Sequence, residues 1–276
     1  RDWSSDVCSS DLSTDAVTGE WNINTAPNVN YGSTGFFLKF EDSSNLTLDS
    51  SGNNISFSTS GTPIATKDNA SNNFCTLNNR ARFSGNLSLS NGNTTASETG
   101  GAWQMASSTL GASSGKYYFE YKITTLGTGS GFHKIGFIST DNGYQATGHL
   151  AEPALDGGYA FYCQNGNLEV RTDNAVISGY EISTLGVSFS NNDIMCLAID
   201  MDNKRAYFRK NGDAWIKSAD PVNGTNGLDI SSDYTTGKAM IPTFAIYYNG
   251  AGSLNFGNGY FGTTAVSSAG TNASGN

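Results

Sequence analysis

Few residues in this 276-residue chain have types and spacings suited to chemistry. There are two histidines, His133 and His149. Nucleophilic catalysis needs a base within hydrogen-bond reach of an activated Ser or Cys. The one G-x-S-x-G match, Gly111-Ala112-Ser113-Ser114-Gly115, leads into the Lys116 to Ile123 strand rather than joining a strand to a helix, so it is not the elbow that presents such a serine. A glycosidase needs two carboxylates facing one cleft. No E-x-D-x-x-E strand is present, and Glu120 is followed two residues on by Lys122 rather than by an acid. Asp200-Met201-Asp202-Asn203 begins like a calcium loop, but its sixth and twelfth positions hold Arg205 and Asn211, where Gly and Glu are required. The better reading is a hairpin turn whose Asp and Asn bond their own backbone. Cys8, Cys75, Cys163 and Cys196 have no C-x-x-C spacing, so structural zinc and dithiol chemistry are unsupported and the thiols read as small core residues. The chain therefore reads as non-catalytic, with no metal and no cofactor.

Binding is the chemistry that remains. Aromatic and Arg side chains dominate protein interfaces, and aromatic rings also stack on sugar faces. Tyr144, Tyr180, Trp215, Tyr247 and Tyr248 lie in or beside turns and are the candidate ligand contacts, with His149 in the 141–153 loop. Tyr260 belongs to the same set. Core packing is the competing reading, above all for Trp215 and Tyr247. Lys204, Arg205, Arg209 and Lys210 cluster within seven residues, as a patch for an acidic partner or as the solvated face of one hairpin.

The elements that must hold these residues are strands. Gly, Ser, Asn and Thr fill 125 of 276 positions and only 14% of residues are charged, so a helical bundle or coiled coil built from long amphipathic helices is excluded. The 13 Tyr, 15 Phe and 4 Trp are enough to fill a core, which argues against disorder. A net charge of −9 repels phosphate backbones, so no nucleic-acid partner is expected. No apolar run approaches the roughly 20 residues of a membrane-spanning helix, so no membrane insertion is expected.

Lys116 to Ile123 alternates with period two, placing Tyr117, Phe119, Tyr121 and Ile123 on one face. Lys134 to Ile138 is a second strand. Tyr159 to Cys163 and Asn167 to Arg171 form a hairpin around Asn165-Gly166. Asp193 to Met201 and Lys204 to Arg209 form another, and Met240 to Tyr247 and Ser253 to Phe256 close the pattern. Gly35 to Phe40 and Ile55 to Phe57 are earlier strand candidates. Phe74 to Leu77, Ala81 to Phe83 and Leu87 to Leu89 are weaker ones. No helix longer than two turns is expected.

Residues 1–12, RDWSSDVCSSDL, resemble the in-frame translation of a sequencing-library adapter. They are set aside as an adapter-derived artefact. That reading implies an environmental open reading frame cut at its 5′ end. Without the segment the net charge is −7 and three cysteines remain. Residues 13–34 read as linker or the remnant of an upstream domain, 35–112 as a β-rich N-terminal region, and 263–276 as a polar, truncated tail.

Within 113–262 the strands carry a resemblance. Gly115-Lys116-Tyr117-Tyr118-Phe119-Glu120 is similar to the opening G-x-[WY]-[YF]-[FW]-E strand of SPRY (B30.2-like) domains. Lys134-Ile135-Gly136-Phe137 and Gly158-Tyr159-Ala160-Phe161 resemble the next family segments. Asp193 to Asp202, followed by Phe208-Arg209-Lys210-Asn211-Gly212, resembles the D-h-h-x-h-x-h-D-h-D and F-x-[KR]-N-G hairpin. Ile241-Pro242-Thr243-Phe244 and Leu254-Asn255-Phe256-Gly257 resemble the closing segments. Phe36 to Phe40, Leu48 to Asn53 and Phe74 to Asn78 are similar to the region preceding SPRY domains in marine phage appendage proteins.

The resemblance implies an all-β chain: an antiparallel concanavalin-like SPRY β-sandwich with an N-terminal β-rich extension. It further implies a non-catalytic binding module of a phage or viral tail or appendage protein, located on a virion or extracellular. The implied partner is a protein or glycan on a host surface, or a neighbouring virion protein. A carbohydrate-binding module of a secreted bacterial protein is the alternative.

Overall fold

A computed structural model describes residues 12–14, 21–24, 26–42, 44–61, 63, 74–83, 85–142, 150–151 and 157–267. The chain divides into two compact units, Arg1–Phe74 and Cys75–Asn276.

In the first unit, β1 (Leu12–Thr14) pairs antiparallel with β2 (Trp21–Ile23); apart from Leu12, the last residue of the adapter-like stretch, both strands lie in the stretch read from sequence as linker. The strand expected over Gly35 to Phe40 reduces to one bridge, Leu38 to Asp49, and Ile55 to Phe57 is not a strand. A carboxylate organises the loop in their place. Asp49 accepts from the backbone N–H groups of Phe37 (3.0 Å), Ser51 (2.9 Å) and Ile55 (2.9 Å) and from the Ser51 hydroxyl (2.9 Å). The Phe37 bond leads in holding this carboxyl well below the usual range.

The second unit is an antiparallel β-sandwich. Its strands are β3 (Leu77–Phe83), β4 (Leu87–Ser90), β5 (Thr95–Glu98), β6 (Gln104–Ser108), β7 (Lys116–Thr125), β8 (Phe132–Ser139), β9 (Tyr159–Gln164), β10 (Asn167–Thr172), β11 (Ala175–Val176), β12 (Ile194–Asp200), β13 (Arg205–Lys210), β14 (Leu228–Asp229), β15 (Met240–Tyr247) and β16 (Ala251–Asn255). One sheet runs β11-β10-β9-β8-β15-β6-β3 and the other β14-β13-β12-β7-β16-β5-β4. A ribbon of β17 (Tyr260–Phe261) and β18 (Thr264–Ala265) follows. Among the described residues, helix is confined to one turn, α1 (Ile182–Leu185), and short 3-10 turns. No helix among the described residues is long and apolar enough to cross a membrane.

β3 to β6 are paired into the same two sheets as the later strands, β6 on β15 and β5 on β16. The chain therefore divides before Cys75 rather than at 112/113. The β5 and β6 segments, TASE and QMASS, carry little apolar signal, yet Ala96, Met105 and Ala106 are buried. Their central pairing buries them, not their own hydrophobicity.

Alternation explains the core. On β7, Phe119, Tyr121 and Ile123 point inward while Tyr118, Glu120 and Lys122 face out. The two sheets meet through rings: Phe161 stacks on Phe208 at 5.1 Å, and Tyr121 lies 6.0 Å from Phe244. The β9–β10 turn is Asn165-Gly166, both with positive φ (49° and 75°), as a two-residue type I′ hairpin demands. His133, fully buried on β8, accepts from the Tyr121 hydroxyl at Nδ1 (2.8 Å) and donates from Nε2 to the Leu126 carbonyl (3.1 Å). A carbonyl only accepts, so the proton sits on Nε2. Burial drives the His133 pKa down to about 4. Cys163 and Cys196 are buried free thiols, and burial raises Cys163 to about 12.

Candidate functional site

The outer face of the second sheet presents three cross-strand rows. They are Lys116–Asp200–Arg205, Tyr118–Ala198–Tyr207 and Glu120–Cys196–Arg209. The middle row sets a small residue between two tyrosines, so Ala198 forms the floor of a groove walled by Tyr118 and Tyr207. Trp215, on the loop leaving β13, packs edge-on to both walls, 6.3 Å from Tyr118 and 6.4 Å from Tyr207. Tyr117, Pro221 and Val222 complete a groove of about 480 Å³. Val222 is 83% exposed and Tyr118 42%, while Ala198 and Tyr207 are buried.

The charged rows frame this groove. Lys116 pairs with Asp200 at 3.2 Å. Burial raises the Asp200 pKa, but hydrogen bonds from Asn203 and Lys116 outweigh it and hold the carboxyl below its usual range. Asp200 also accepts from the backbone N–H groups of Asp202 (3.1 Å) and Asn203 (2.9 Å), the turn expected from sequence in place of a calcium loop. On the other side the Arg209 guanidinium lies 4.6 Å from the Trp215 ring centre and 5.8 Å from that of Tyr118, and donates to the Tyr118 hydroxyl at 3.3 Å. Tyr118 in turn donates to Glu120 at 2.6 Å. The Tyr207 hydroxyl and the Arg209 Nε are buried with no hydrogen-bond partner among the described residues. Burial raises the Tyr118 phenol and the Cys196 thiol.

The sequence candidates are scattered over the fold. Trp215 is in the groove. Tyr180 is buried, edge-on to Phe208, with Lys217 4.6 Å from its ring centre, so it closes the core. Tyr247 is half-buried, stacked on Trp103 at 5.3 Å, and Tyr248 is exposed beside it. Tyr144 and His149 lie outside the described residues. Sequence reasoning missed Tyr118, Ala198, Tyr207 and Val222, and read Arg209 only as one member of the basic cluster. Tyr118, Ala198, Tyr207 and Arg209 are outward positions on strands, and only the register shows that they converge. The basic cluster is not one patch: Arg205 pairs with Asp229, Lys210 with Asp193 and Lys204 with the Ser113 carbonyl, while Arg209 faces Trp215. Among the described residues no three His, Cys, Asp or Glu side chains come together to hold a metal.

The second unit is thus an antiparallel two-sheet β-sandwich with an aromatic groove on one outer face. No family model matches the chain. No curated protein matches it. Among solved structures it is similar to the SPRY domain of human HERC1, with TM-score 0.45 and 17% identity over 64% of this chain and 94% of that one. It is also similar to the stonustoxin structure, with TM-score 0.45 and 18% identity over 66% of this chain and 27% of that one. A human SPRY domain gives TM-score 0.41 and 14% identity over 62% and 96%.

Proposed function

We propose that the chain is a non-catalytic binding module that seats an extended protein segment in the Trp215 groove. The observation that carries this is the placement of Trp215 over the Ala198 floor, between two tyrosine walls and an arginine. Trp, Tyr and Arg are the side chains that supply most binding energy at protein interfaces. The lining is mostly apolar, which suits an apolar or aromatic anchor residue. Arg209 and Lys116 on either side suit a carboxylate flanking that anchor. Selection of a random peptide display library on the full chain tests the reading, with the Trp215→Ala chain as counter-target.

We place this module on a virion appendage or another extracellular protein, facing a host-surface protein or a neighbouring virion protein. Support comes from the sequence resemblance to SPRY domains and to the region preceding them in marine phage appendage proteins. Neighbouring genes for capsid or baseplate in the source contig would support it, and glycan-degradation genes would favour a secreted bacterial protein instead. A carbohydrate ligand is the second reading. The observation in its favour is exposed Tyr248, which follows β15 and is not among the residues lining the Trp215 groove.

A further inference from the structure

A second concavity, of about 760 Å³, lies where the loop after β7 meets the β15–β16 connection and the turn before β12. It is lined by Thr125, Gly127, Thr128, Ser190, Asn191 and Asn249, with Leu126 as its one apolar side chain. None of these carries a charge, in a chain whose net charge is −9.

The cleft is held in shape by its own backbone. Thr128 donates its N–H to the Tyr248 carbonyl at 2.7 Å, and Leu126 donates its N–H to the Asn191 side-chain oxygen at 2.8 Å. Gly127 has φ +89°, and a Cβ there would lie 2.2 Å from the Tyr248 oxygen, so only glycine lets the two loops close. The Asn249 amide reaches the Thr128 hydroxyl at 3.3 Å, and its backbone N–H is fixed by Glu98 at 2.6 Å.

Tyr248 and Asn249 are consecutive left-handed residues, with φ +57° and +59°. Asn adopts this conformation readily, but a bulky aromatic does not, and such outliers concentrate at binding sites. The strained Tyr248 is 39% exposed and sits on an aromatic stack, its ring centre 3.9 Å from that of Tyr247, which stacks on Trp103.

We infer that this cleft, with Tyr248 beside it, binds a neutral oligosaccharide. A sugar ring offers an apolar C–H face, which suits an aromatic ring, and hydroxyls that both donate and accept. Side-chain amides and hydroxyls match those edges with donors and acceptors of both kinds. A carboxylate or phosphate ligand would call for a cation, and the cleft lining has none. This site is separate from the Trp215 groove, and the inference rests on the carbohydrate reading proposed above rather than on the groove's peptide ligand.

The test uses the full chain with chitohexaose, cellohexaose, mannohexaose and maltohexaose, read by saturation-transfer NMR and by titration. Tyr248→Asn and Asn249→Gly keep the left-handed turn, so they remove the ring or the amide without removing the loop. At least one of the four sugars should bind, and each substitution should weaken it by roughly tenfold, about the value of one hydrogen bond or ring contact. Trp215→Ala should leave that binding unchanged. Silence from all four sugars overturns the inference, as does binding that survives both turn substitutions or is lost with Trp215→Ala.

Discussion

The Arg209 guanidinium lies 4.6 Å from the centre of the Trp215 ring and hydrogen-bonds to Tyr118 on the other wall of the groove. One strand residue thereby fixes both a loop aromatic and a wall. Arginine does this because its planar fork stacks on a ring while still donating, which a lysine ammonium cannot reproduce. Arg209→Lys should loosen Trp215 at a cost of about 1 kcal/mol to stability. A red shift in tryptophan emission and a small fall in Tm would register it. An unchanged spectrum and melting curve would mean that the stack contributes nothing.

His133 couples stability to pH. Its folded pKa is near 4, against an ordinary value of 6.5, because burial penalises the charged ring. The unfolded chain therefore binds more protons between those values. The stabilisation is fully present above about pH 6.5, falls as pH drops, and is gone by about pH 4. The difference corresponds to about 3 kcal/mol. Urea unfolding followed across that window should show the loss in wild type and a flatter profile in His133→Gln. Parallel profiles for the two chains would rule the histidine out as the source.

Much of this fold was legible in the sequence. β7 to β10, β12, β13 and β15 announce themselves through alternation and Asn-Gly turns, because period-two burial and positive-φ turns leave marks in single residues. β5 and β6 do not, because small polar residues become core only when neighbouring strands bury them. Trp215 was legible as a loop aromatic, but so was Tyr180, which closes the core against Phe208. Turn residues flank both, and local sequence does not say which way a loop side chain points. The groove itself was invisible. Tyr118, Ala198 and Tyr207 come from three strands and share a row only through pairing register.

Close approach of backbone to core gives a packing prediction. A Cβ on Gly252 of β16 would lie 2.3 Å from the Tyr121 ring, which is fully buried. Gly252→Ala should destabilise by about 1–3 kcal/mol through overpacking. Its thermal midpoint is to be compared with that of Gly212→Ala, where nothing stands within 4 Å of the added methyl. Equal midpoints for the two variants would mean that Tyr121 gives way freely.

The thiols offer a chemical check. Cys163 and Cys196 are buried with raised pKa values, so the thiolate that reacts is scarce and shielded. Cys75 is only partly buried. Iodoacetamide at pH 8 on the native chain, followed by peptide mapping, should label Cys75 well before the other two. Comparable labelling of all three would contradict the packing described around β9 and β12.

The Trp215 groove is proposed as a peptide-binding surface. The direct measurement is titration of display-selected peptides into the native chain and into Trp215→Ala, with matched circular dichroism and melting curves. Selected peptides should share an apolar anchor beside a carboxylate and lose about 2 kcal/mol, roughly thirtyfold, on the Trp215→Ala chain. Failure to select any binder, or binders that hold equally well to a folded Trp215→Ala chain, would contradict it.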